Sequence, residues 1–181
     1  MLVEPACSAN FEQLGRRGQA YAPRSAVSRQ GRSRAEVHLL LRALPTPEFD
    51  ETWLRFVDGR PVSSITRQFL GWCTEKLEAL GKKVLVLIWD NASWHISKEV
   101  RRWLGQHNRR VKKSGEGVRI VSCLLPKQSP WLNAIEPKWV HGKRKVVEPD
   151  GLLGAYELAE RVCRVFGCPH YEHLSIPREV A

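Results

Sequence analysis

Two acids of this chain stand in distinctive phrases. Asp90 closes the apolar run Val84-Leu85-Val86-Leu87-Ile88-Trp89 and opens Asn91-Ala92-Ser93-Trp94-His95. Glu136 lies within Leu125-Pro126-Lys127-Gln128-Ser129-Pro130-Trp131-Leu132-Asn133-Ala134-Ile135-Glu136-Pro137-Lys138-Trp139, and forty-five residues separate the two. A carboxylate placed directly after an apolar strand is costly to bury unpaired, and a bound cation removes that cost. Carboxylate oxygens are the donors Mg²⁺ takes, so an acid at a strand end and another on a later helix can share ions. The plainer readings are a turn or cap aspartate, Asp-Asn being good turn chemistry, and a first-turn glutamate favoured by the helix dipole. His95 could reach a phosphate, orient a carboxylate or shuttle a proton; a hydrogen-bonded structural histidine is the competing reading. Asn91 suits a bond to its own loop better than one to a substrate.

The background charge points the same way. Lysine and arginine number 29 against 19 acids, a net charge of +10. Such an excess favours an anionic partner, because neutralising phosphates releases condensed counterions. The cations fall in three clusters: residues 16–34, Lys98 to Lys113, and Lys138 to Lys145. Arg101, Arg102, Arg109, Arg110, Lys112 and Lys113 carry the middle cluster, and Lys138, Lys143, Arg144 and Lys145 the last. One such cluster is usually a solvated face. Three flanking two carboxylate phrases read as a phosphate-tracking surface. Seven tryptophans are mostly core, with Trp94 and Trp131 set apart because each borders a catalytic phrase.

At 181 residues the chain suits one domain with its own core. Five scattered cysteines show no disulfide framework, which favours a reducing compartment. No apolar run approaches a membrane span, and no signal pattern opens the chain. Cys163, Cys168, His170 and His173 hint at zinc, but their spacing is unlike the usual fingers or ribbons, so they read as buried thiols with surface histidines.

The elements must position the acids. Residues 1–35 read as a basic, poorly structured arm with six arginines between Leu14 and Arg34. Val37–Leu41 and Thr52–Val57 predict a hairpin. Ile65, Phe69, Trp72, Cys73, Leu77 and Leu80 recur at helical steps, and Gly81 stops that helix. Val84–Ile88 predicts a strand buried on both faces. Ser97 caps a helix using Val100, Trp103 and Leu104. A strand over 118–124, a helix carrying Ile135, Glu136, Trp139 and Val140, and a helix over about 152–166 complete the order. The pattern is α/β with a mixed sheet, in which sites gather at the carboxyl ends of parallel strands. Asp90 lies at such an end.

Trp89-Asp90-Asn91-Ala92-Ser93-Trp94-His95, followed in order by Ser129-Pro130-Trp131-Leu132-Asn133-Ala134-Ile135-Glu136-Pro137-Lys138-Trp139, resembles the DDE-type transposases of the mariner superfamily, in their bacterial insertion-sequence branch. The resemblance covers roughly residues 50–170. It implies a ribonuclease-H-like fold, a central mixed β-sheet flanked by helices. It implies cleavage and strand transfer of transposon DNA with two Mg²⁺ or Mn²⁺ ions. Asp90 becomes the second catalytic acid and Glu136 the third, both metal ligands, with Asn91, His95 and Asn133 in support. The family's first acid is an aspartate on the first strand, and that strand falls near Val3-Glu4, which makes Glu4 the stand-in. The family's Asn-Pro before Ile-Glu is here Asn133-Ala134, and its helix-turn-helix region has no counterpart. The expectation is an N-terminally truncated catalytic domain at 36–175 with a tail at 176–181, inactive if Glu4 cannot replace the first aspartate. The alternative is a non-catalytic basic fragment that binds DNA or a full-length transposase. Partners are then DNA, as transposon ends and target, and a second copy or full-length transposase, with no membrane; the expected place is the bacterial cytoplasm at the nucleoid.

Overall fold

The computed structural model describes residues 2–4, 35–43, 52–58, 62–127, 129, 132, 135–146 and 155–176. Of the arm expected at 1–35, residues 2–4 and 35 belong to strands and 5–34 lie outside the described residues; of the tail expected at 176–181, residues 177–181 lie outside them. The elements run β1 (Leu2–Glu4), β2 (Ala35–Ala43), β3 (Thr52–Asp58), α1 (Ser63–Ala79), β4 (Val84–Trp89), α2 (Lys98–Ser114), β5 (Arg119–Leu124), α3 (Ile135–Val146), α4 (Ala155–Phe166) and β6 (Leu174–Ser175). The hairpin, the helices and the two apolar strands stand where their periodicities place them. The sequence gives no legible sign of β1 or β6, which are three and two residues long, too short for a period to register.

The strands form one mixed sheet in the order β5-β4-β1-β2-β3-β6. β1 runs parallel to β4 and antiparallel to β2, which pairs with β3 as a hairpin. β4 and β5 are parallel over their full length, Val84 to Arg119 through Trp89 to Leu124.

Each face of the sheet has its own core. Trp53 and Val57 of β3, Leu85, Leu87 and Trp89 of β4 and Ile120 of β5 pack with Ile65, Phe69, Leu70, Cys73 and Leu77 of α1 and Val100 of α2. On the other face Leu54 and Phe56 of β3 meet Val146, Ala159, Val162 and Cys163 from α3 and α4. Successive residues of a strand point to opposite faces, which is why Leu54 and Phe56 part company with Trp53 and Val57. The expectation that β4 is buried on both faces is corrected. Leu85, Leu87 and Trp89 are buried, Val84 is exposed, and Val86 and Ile88 are half-buried. The apolar run reflects a central strand covered fully by α1 and α2 on one side, while α4 lies over β2 and β3 on the other.

No helix among the described residues is long and apolar enough to cross a membrane.

Candidate active site

Asp90 is the first residue beyond β4, and neighbouring groups fix the backbone on both sides of it. Before it, the buried Trp89 donates its indole N–H to Ser122 Oγ of β5 at 2.9 Å, and its carbonyl accepts from Leu125 N at 2.8 Å. After it, Asn91 Nδ2 donates to Leu125 O at 2.6 Å. Asn91 therefore bonds the loop, as its residue type suggests. These bonds join the end of β4 to the end of β5, and the chain leaving β5 at Leu125 is the one that leads to α3 and Glu136. One asparagine thus roots both carboxylate segments together.

The Asp90 side chain is itself oriented. Its Oδ1 accepts the Ala92 N–H at 3.0 Å, the turn expected of an aspartate here, and also lies 2.7 Å from His95 Nδ1. A carboxylate can only accept, so Nδ1 carries the hydrogen. His95 is brought back onto Asp90 by a tight turn, its N–H donating to Ala92 O at 2.9 Å. The ring is buried, stacked on Trp89 with centroids 4.9 Å apart and 19° between planes, and edged by Trp94 at 5.9 Å. Its Nε2 has no hydrogen-bond partner among the described residues. Of the readings open to His95, the one that orients a carboxylate matches this geometry. Asp90 remains part-exposed, with 28% of its side chain open, so the aspartate is rigidly held yet accessible.

Glu136 is the second residue of α3, placing its backbone in the helix's first turn. Glu4 ends β1, and the pairs Leu2–Val86 and Val3–Leu87 set its backbone alongside Ile88, two residues short of Asp90. The side chains of Glu4 and Glu136 lie outside the described residues, as do Asn133 and Trp131. Among the described residues no three His, Cys, Asp or Glu side chains converge. The donor chemistry still fits a hard divalent ion, since each proposed ligand is a carboxylate.

The basic residues of α2 form a stripe. Lys98, Arg101, Arg102, Arg109, Lys112 and Lys113 recur at three-, four- and seven-residue steps and are all exposed, opposite the buried Val100 and His107. Arg110 is exposed beside the stripe, 3.3 Å from His107 Nδ1. The stripe starts next to the Asp90 loop, where Arg101 Nε donates to Ile96 O at 2.8 Å. At 17 residues the helix carries it for about 25 Å. Arg144 and Lys145 are exposed on α3, where Lys138 and Lys143 also stand with side chains outside the described residues.

Two contacts near the site carry no sequence signal. The Trp89–Ser122 bond depends on strand register. Asn108 of α2 donates to Ile120 O and accepts from Ile120 N, at 2.8 and 2.9 Å, so a side-chain amide pairs both backbone groups of Ile120 on strand β5. An asparagine in a basic helix gives no hint of either.

A family model described as DDE superfamily endonuclease matches residues 11–150. The span includes both carboxylate phrases and reaches further toward the N-terminus than the expected 50–170, though it starts after Glu4. No curated protein matches. Among solved structures, the Mos1 transposase paired-end complex with left transposon end is similar at a TM-score of 0.58 and 14% identity. The similarity covers 93% of this chain and 48% of that one, so this chain spans about half the length of the structure it resembles. At that identity the likeness establishes the fold, which is ribonuclease-H-like.

Proposed function

Because the chain belongs to the DDE superfamily of endonucleases, we propose that it is a transposase catalytic domain that cuts DNA and joins the cut end to a new strand. The observation that carries this reading is Asp90, held at the carboxyl end of a central parallel strand by Asn91, Ala92 and His95 while still open to solvent. Asp90 and Glu136, with Glu4 in the place of the first acid, would hold Mg²⁺ or Mn²⁺. Bound there, such ions supply an activated water or 3′-hydroxyl and stabilise the leaving oxygen of an in-line displacement at phosphorus. The protein's share is orientation: His95 fixes the Asp90 carboxylate, and Asn91 ties the strand that carries it to the segment leading to Glu136. The α2 stripe would run along a phosphate backbone and hold DNA without reading its sequence.

The competing reading is a fragment of the same fold that binds DNA, or a longer transposase, without cutting. It is favoured if Glu4 takes the place of the family's first aspartate, since the longer side chain would shift the carboxylate by one methylene. Incubation with labelled duplex DNA and Mg²⁺ separates the two. The catalytic reading expects nicked or joined products that disappear in Asp90→Asn, with DNA affinity retained. Binding with no products from the wild-type chain supports the fragment; products that persist in Asp90→Asn remove Asp90 from the reaction.

A further inference from the structure

The two histidines expected at the surface are half-buried, and His170 and His173 bond each other, Nε2 to Nε2, at 3.2 Å. Of the two thiols expected to be buried, Cys163 on α4 is, while Cys168 is half-buried between the exposed Gly167 and Pro169. The end of the helix brings these two cysteines together. Gly167 adopts φ +64°, its N–H reaching Arg164 O at 3.3 Å, while Cys168 N–H reaches Cys163 O at 3.0 Å. Such a pair of bonds ends a helix in a left-handed residue and sets the side chain after the glycine against one from the last full turn. Cys168 Sγ lies 3.8 Å from Cys163 O, and Cys163 Sγ lies 3.7 Å from Pro169 O. The thiols also bond each other. A hydrogen bond from Cys168 draws the Cys163 thiol below its ordinary range, and the same bond pushes the Cys168 thiol well up.

We propose that Cys163 and Cys168 form a redox-modification site, a dithiol that low-molecular-weight disulfides convert reversibly into an intrachain disulfide. The bond from Cys168 N–H to Cys163 O holds the two Cα atoms within about 7 Å by standard backbone dimensions, the limit beyond which cysteines cannot be bridged without backbone movement. Cys168 is the sulfur that a small disulfide can reach. Its thiolate attacks one sulfur of that molecule, the small S–S bond breaks, and one small thiolate leaves. The Cys163 thiolate then attacks Cys168 Sγ and expels the second small thiolate. The two protons given up by the cysteines go to the two leaving thiolates. Two protein thiols are thereby oxidised and one small disulfide is reduced to two thiols. The product closes a loop over Arg164 to Gly167 at the end of α4. Phe166 lies in that loop, and its ring stands against Gly142 of α3, so oxidation fixes the turn on which α3 is seated. Cys73 and Cys123 stand on other elements, α1 and β5.

Peptide mapping of the folded full chain tests the pair. The chain is incubated with oxidised glutathione, its remaining thiols are alkylated, and it is digested with trypsin without reductant for mass spectrometry. Trypsin cuts after Arg161, Arg164 and Arg178, which puts Cys163 and Cys168 on separate peptides that only a disulfide can hold together. The expected result is peptide 162–164 joined to peptide 165–178, with loss of alkylation at both cysteines and return of the separate peptides after a phosphine reductant. In Cys163→Ser the reaction should stop at its first step, leaving glutathione on Cys168. Separate alkylated peptides, a stable glutathione adduct on wild-type Cys168, or joining that occurs only in denaturant would overturn the site. If Cys163→Ser does not fold, the wild-type digest decides between these results unaided.

Discussion

At Asp90 the two bonds to Oδ1 decide how the carboxylate is presented. Ala92 N–H and His95 Nδ1 both hold that oxygen, and the His95 ring is in turn fixed by Trp89 and Trp94. Partners that orient a metal ligand typically contribute about 10–100-fold in affinity or activity. His95→Ala should therefore weaken Mn²⁺ binding by that order, while His95→Asn, whose amide N–H can stand where Nδ1–H stood, should recover part of it. A drop shared equally by both variants would mean that His95 serves only to fill space. Sequence alone left His95 open between a phosphate, a carboxylate and a structural role. Its distance from Asp90 in the chain does not say whether the intervening turn doubles back, and the Ala92–His95 turn does.

Among the elements, α2 and α3 matter most to function. If the α2 stripe holds phosphates, replacing Arg109, Arg110, Lys112 and Lys113 by Gln should weaken DNA binding. The slope of log affinity against log salt should flatten by up to about 0.9 for each lost contact on duplex DNA. A slope that stays put in a salt titration identifies a solvated face. The orientation of α3, which carries Glu136, depends on its close approach to α4. A Cβ on the buried Gly142 would come within 2.7 Å of Phe166 Cε2, so the ring must swing aside. Gly142→Ala should cost about 1–3 kcal/mol by overpacking, read as a lowered denaturation midpoint; an unchanged midpoint means the helices slide freely. Asn108→Ala should cost about 1–3 kcal/mol for the unpaired Ile120 groups it leaves, measured the same way. Periodicity revealed α1, α2 and the hairpin because each buries a continuous face. It could not reveal that β4 is only half-covered on one side, since Val84, Val86 and Ile88 are as apolar as their buried neighbours.

Across the whole molecule, chain order placed Asp90 just past an apolar strand and Glu136 on a later helix, where β4 and α3 have them. Periodicity could not supply the strand that sets Glu4 beside β4, because three residues carry no period and the pairing lies more than eighty residues away; only the family resemblance pointed to a strand near Val3-Glu4. The sheet also sorts the thiols. Cys123 is exposed on strand β5, Cys73 is buried on the sheet-facing side of α1 with its thiol pushed well up by burial, and Cys163 is buried on α4. Limited alkylation of the native chain should label Cys123 first and Cys73 last; early modification of Cys73 would contradict the packing of α1 on the sheet. The central claim is that Asp90 and Glu136 belong to one carboxylate centre for divalent ions. Electron paramagnetic resonance of Mn²⁺ titrated into the chain tests it directly, since bound and free ion give different signals. The account predicts bound Mn²⁺ in the wild type and its loss in both Asp90→Asn and Glu136→Gln. Binding that is unchanged in either variant would contradict it.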